Sequence, residues 1–293
     1  MKALHMTGAL IGLTLLASAG PSVSMEGRPC VWLSKDLIGM KVVSSQGDDL
    51  GKIEDVVVHP GGEKSYAVLS FGGWMGMDDK LFAMPWTVLR TVEPDTAMKD
   101  SELSLVLPLD KERLKKAPGF DKKSWPLMAN PEWTEDVDAF YAGDLNPNAV
   151  KPADAAARTS VITWRATELK GTSVKTPTGE KLGDVKEIAI DANGRVCYVA
   201  LSVGGFLGMG DRLVAVPWDS LTFALSGDKG DKKLITLAST KKQLEDAPQF
   251  KEGKENGAEM CDPKWIGRVY DYYTCPVYWD RKGDGAGKQS PKN

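Results

Sequence analysis

Gly72-Gly73-Trp74-Met75-Gly76-Met77-Asp78-Asp79-Lys80-Leu81-Phe82-Ala83-Met84-Pro85-Trp86 returns as Gly204-Gly205-Phe206-Leu207-Gly208-Met209-Gly210-Asp211-Arg212-Leu213-Val214-Ala215-Val216-Pro217-Trp218. The shift of 132 holds without a gap from Leu37 paired with Leu169 to Leu89 paired with Leu221. Self-similarity at a fixed shift means two copies of one folding unit. A period this long exceeds any solenoid repeat and leaves each copy enough chain to close a small core of its own.

Within each copy, short stretches of alternating apolar and polar residues are punctuated by Gly, Pro, Asn or Asp, the pattern of a small β-barrel. Thr172 to Thr176 reads as a strand, 177–180 as a turn, and Leu182 to Asp191 as a longer strand. Asn193-Gly194 then predicts a type I′ hairpin, with φ > 0 at both residues. Both long strands break their alternation at the same place, Ile53, Val56, Val58 and Val185, Ile188, Ile190. One extra residue between inward positions predicts a β-bulge. Pro85 and Pro217 lack an N–H for a sheet ladder, so they are expected at a strand end or edge. Thr240 followed by Gln243 predicts a capping box on a short helix. Further on, Pro131, Trp133, Val137, Phe140 and Tyr141 match Pro263, Trp265, Val269, Tyr272 and Tyr273 at helical spacing. These aromatic helices are expected to lie as lids on the barrels.

The pattern Tyr198-x-x-Leu201-Ser202-x-Gly204-Gly205-Phe206-Leu207-Gly208-Met209-Gly210-Asp211-Arg212-Leu213-Val214-Ala215-Val216-Pro217-Trp218, preceded by Gly183-x-Val185, resembles the PRC-barrel family. That family is named after the cytoplasmic domain of the photosynthetic reaction-centre H subunit. The resemblance spans roughly residues 34 to 120 and 166 to 250. It implies a mainly β fold: two small antiparallel PRC-type barrels in tandem, each followed by short α-helices and used to dock partners. It implies no photosynthesis, because the H subunit has a membrane anchor and one barrel. Its proton-conducting residues find no counterpart here. The trailing helix and Tyr278-Trp279 resemble a C-terminal extension of exported bacterial members.

The organisation is therefore read as a leader (1–19), a first repeat with its helices (30–142), a linker (143–160), a second repeat (161–280) and a disordered tail (281–293). Lys2, an apolar run from Met6 to Leu16, and Ala17-Ser18-Ala19 form a secretory signal with an A-x-A cleavage site. No other segment is long and apolar enough to span a bilayer. The mature chain is expected to be soluble and periplasmic or secreted. Lys and Arg number 37 against 40 Asp and Glu, with both signs scattered. The basic face of a nucleic-acid binder is absent. Four cysteines survive cleavage, and three pairings are open to them. The short loop between Cys261 and Cys275 makes that disulfide the first expectation.

Little in the chain points to catalysis. His59, the one histidine beyond the leader, sits beside Pro60 in a turn and is matched by Asp191. Motifs for serine hydrolysis, phosphate cradling and thiol redox chemistry are missing. Asp48, Asp49, Glu54 and Asp55 are acidic without a specific pattern. No catalytic residue, metal site or cofactor is expected. Gly72, Gly73, Pro85 and Trp86, with Gly204, Gly205, Pro217 and Trp218, form the repeated structural motif. Trp74, Met75, Phe206 and Leu207 lie in its Gly-rich loops and are the expected partner-binding residues, since aromatic side chains and Met are favoured at interfaces. The expected function is a non-catalytic adaptor or assembly factor for an envelope complex, with an unidentified envelope protein as partner. A carrier holding a small ligand or cofactor between the barrels is the alternative.

Overall fold

The computed structural model describes residues 31–62, 65–71, 80–92, 104–126, 131–142, 145, 163–204, 212–226, 232–249, 260 and 262–280. The expected leader and tail, and the expected linker apart from Leu145, lie outside them.

The first repeat begins with β1 (Val31–Leu33), α1 (Ser34–Leu37), β2 (Lys41–Ser44), β3 (Asp49–Val58), β4 (Ser65–Ser70) and β5 (Lys80–Pro85). It continues through β6 (Arg90–Val92), β7 (Ser104–Leu107), α2 (Lys111–Leu114), β8 (Gly119–Asp121) and α3 (Pro131–Tyr141). The second follows the same plan: β9 (Trp164–Arg165), α4 (Ala166–Leu169), β10 (Ser173–Lys175), β11 (Lys181–Asp191) and β12 (Val196–Val203). Then come β13 (Arg212–Pro217), β14 (Leu221–Ser226), β15 (Lys232–Leu237), α5 (Lys241–Asp246) and α6 (Pro263–Tyr272).

Two sheets result, ordered β6-β7-β2-β3-β4-β5-β8 and β13-β12-β11-β10-β15-β14. Among the described residues pairing is antiparallel except for one parallel contact in each repeat, β2 with β7 and β10 with β15. The bulge expected on each long strand is present, with register shifts between Ile53 and Asp55 and between Val185 and Glu187. Both prolines close their strands, and a single 3₁₀ turn follows, Trp86–Val88 and Trp218–Ser220. The capping box at Thr240 forms, with Thr240 and Gln243 satisfying each other's backbone N–H.

The hairpin at Asn193-Gly194 forms, but not as type I′. Gly194 has φ +81° while Asn193 stays at negative φ, and Gly194 N donates to Asp191 O at 3.0 Å. This is a type I turn followed by a left-handed glycine. The reason lies in Asp191, whose carboxylate accepts from Asn193 N at 2.9 Å and Arg195 N at 2.8 Å and fixes the first bend. Gly62, at φ +74° with its N–H on His59 O at 2.8 Å, repeats the arrangement.

The two repeats are interleaved. Beyond its bulge, β11 pairs with β1 of the first repeat, Trp32 opposite Ile190 and Leu33 opposite Ala189. β3 takes β9 of the second in the same register, Trp164 opposite Val58 and Arg165 opposite Val57. Each lead strand thus completes the other copy's sheet. Instead of two separate cores, the largest apolar cluster draws on both copies, from Leu37, Val56 and Trp86 to Leu169, Ile188 and Trp218. A second cluster packs α6 and Tyr278 over Tyr198 and Ala215.

Candidate interaction surfaces

At the junction, hydrogen bonds run both ways under the same two-fold relation. Trp86 Nε1 donates to Ala192 O at 3.2 Å and Trp218 Nε1 donates to Pro60 O at 2.7 Å. Val196 N reaches Gly62 O at 2.9 Å, and Ser65 Oγ reaches Gly194 O at 2.5 Å. The Pro-Trp ending of the repeated motif therefore serves the contact between copies. Proline ends the strand, the 3₁₀ turn begins at the tryptophan, and the buried indole's N–H meets a carbonyl of the other copy's hairpin turn.

The bulge aims an acid across the same junction. Asp55, 2% exposed, accepts from Thr167 N at 3.2 Å and from Thr167 Oγ1. At the equivalent place Glu187, 4% exposed, accepts from Ser34 Oγ at 2.8 Å and Lys35 N at 3.2 Å, with Lys170 Nζ 2.5 Å away. Each carboxylate meets orphan donors in the first turn of the other copy's short helix, α4 or α1. Burial lifts the Asp55 carboxyl above its usual range, against the pull of the donors from Thr167 and Val56 and of the Arg165 charge. Burial likewise raises Asp191, opposed by the backbone donors of Arg195 and Asn193. Arg165 also lies over the Trp125 ring at 4.4 Å, so β9 is held on its outer side as well.

The sequence reading assigned Asp55 no specific role and did not single out Glu187. Their correspondence under the 132-residue shift, directly after a bulge, was the available signal.

Of the expected binding residues, Trp74, Met75, Phe206 and Leu207 lie outside the described residues, as do Gly72, Gly73 and Gly205. Their neighbours fix where those segments leave and rejoin the sheet. Ser70 pairs with Leu81 and Val203 with Arg212, at the hairpin ends opposite the turns that meet the other copy. At about 3.3 Å per residue, these ends stand roughly 15–25 Å from the junction. Gly204 has φ +79°, as the exit from β12 requires.

Cys275 carries a free thiol, its Sγ 3.1 Å from Ser220 Oγ; its expected partner Cys261 lies outside the described residues. An open depression of about 640 Å³ on the first repeat is lined by Asp49, Lys52, Glu54, Ser70 and Lys111 among others. Its two carboxylates are paired outside it, Asp49 with Lys41 and Glu54 with Lys122. No helix among the described residues is long and apolar enough to cross a membrane.

Comparison with curated proteins returned no match. The family model for the PRC-barrel domain matches residues 33–99 and 163–243, together about half the chain and once in each repeat, so the protein belongs to the PRC-barrel family.

Proposed function

We propose that the protein is a non-catalytic adaptor or assembly factor, exported to the periplasm, that docks an envelope protein through its two Gly-rich segments. The observation carrying this reading is the division of labour within the repeated motif. Its Pro-Trp end is consumed by the junction between repeats, whereas its Gly-Gly-aromatic end departs from the far side of each hairpin. Equivalent segments that leave each repeat away from the junction suit an adaptor that bridges two sites on one partner or two partners.

The carrier alternative required a groove between the barrels. Among the described residues that region is filled by Trp86, Trp218, the two hairpin turns and the exchanged strands. The adaptor reading is therefore the one favoured.

The test is crosslinking in intact cells with a tagged, exported chain, followed by mass spectrometry against an untagged control. A reproducible envelope partner, lost on Trp74→Ala or Phe206→Ala, is the expected outcome. Recovery of the protein alone contradicts the proposal.

A further inference from the structure

Each long strand has two halves with different partners. The first half of β11 pairs with β10 of its own repeat, and the last three residues pair with the foreign β1; β3 divides its partners between β2 and β9 in the same way. Taken alone, a repeat would expose a sheet edge at Val57–Val58 or Ala189–Asp191, with Asp55 left only the Val56 N–H and Glu187 only the Lys170 ammonium of the donors that hold them. Open edges are prone to pair with other chains, and the donors each carboxylate gains at the junction are charge-assisted hydrogen bonds. We infer that the junction is a self-sufficient recognition surface whose partner is a second PRC-barrel repeat of the opposite type, held without need of the connecting segment.

Opposite type matters because the repeats differ where the acids are met. Glu187 uses the Ser34 hydroxyl. If the second repeat paired with itself, Ala166 would stand in that place and offer none. The shorter Asp55 uses the Thr167 hydroxyl. If the first repeat paired with itself, Lys35 would stand there instead. The Ser65 hydroxyl that donates to Gly194 O corresponds to Cys197 in the second copy, a weaker donor. The mixed pair matches Glu187 to the Ser34 hydroxyl and Asp55 to the Thr167 hydroxyl, a combination that neither same-type pair reproduces. The segment between residues 146 and 162 then serves to keep the two partners at high effective concentration.

The experiment uses the full chain with a protease recognition sequence inserted between Val150 and Ala156, cleaved after folding and kept in reducing buffer so that no disulfide joins the halves. The nicked protein is expected to elute as a one-to-one pair at about 1 μM, within reach of a specific interface. When isotopically heavy and light nicked samples are mixed, native mass spectrometry should show first-with-second pairs, with same-type pairs below roughly a tenth of the total. Thr167→Val should weaken the pairing at least about tenfold, the range for one hydrogen bond to a charged group, and Thr167→Ser should restore it. Separation or aggregation of the halves on dilution overturns the inference, as does formation of same-type pairs as readily as mixed ones.

Discussion

Gly194 shows how little room the junction leaves. A Cβ at this position would lie 2.5 Å from Trp86 Cγ, and its φ of +81° already disfavours any L side chain. Gly179 has a similar φ of +92° with nothing within 4 Å. Both alanine substitutions should therefore incur about 1 kcal/mol of backbone strain, and Gly194→Ala a further ~1–3 kcal/mol of overlap. Urea denaturation of the two variants side by side measures the difference; equal losses would mean that the Trp86 contact is dispensable. Asp55 gives a prediction in pH. Its folded-state pKa is raised by burial, so its contribution to stability is fullest below the unfolded-state value and is lost as pH rises through the folded one. The stability margin of the wild type over Asp55→Asn should accordingly be largest in acid and narrow toward neutral pH. A margin that widens with pH contradicts that assignment. The sequence marked Gly194 as a positive-φ turn residue but not its contact with Trp86, and it assigned Asp55 no role, because the Trp86 ring and the Thr167 helix approach from more than a hundred positions away.

At the scale of elements, the long strands were half legible. The broken alternation at Ile53, Val56, Val58 and its copy located the bulges, since inward positions must follow the core wherever it lies. What the bulge is for could not be read locally. It bends the strand so that one half serves its own repeat and the other receives a strand from its twin, and pairing with a distant segment leaves no local signature. The hairpin after β11 was likewise placed correctly and typed wrongly, because the Asp191 carboxylate, rather than the Asn-Gly pair alone, chooses the bend. The exchanged strands should be unequal in worth. Trp164 is 1% exposed and packs against Phe223 at 5.5 Å, with Lys233 Nζ 4.8 Å above its ring, whereas the equivalent Trp32 is only half-buried. Trp164→Ala should cost about 3–5 kcal/mol, in the range for large aromatic truncations, and Trp32→Ala distinctly less. Comparable losses in chemical denaturation would show that burial at the two positions does not govern their contribution.

At the scale of the whole molecule, the sequence showed two copies and the structure shows that they are not independent. The repeat, the family and the succession of strands along each copy follow from patterns of neighbouring residues, whereas the parallel pairing of β2 with β7 and of β10 with β15 does not. Reciprocal exchange follows from where Val31–Leu33 and Trp164–Arg165 go, and those short leads lie before the stretch in which the copies align without a gap. A shared core and two exchanged strands couple the repeats, so loss of either exposes apolar surface and an open edge on the other. Independent domains would instead open separately. The most direct test is hydrogen exchange of the intact chain across a urea series, comparing peptides from β4 in the first repeat with peptides from β12 in the second. Protection in both should be lost at the same urea concentration, in one cooperative transition. Two separate midpoints, with one repeat still protected after the other has unfolded, would contradict the interleaved fold.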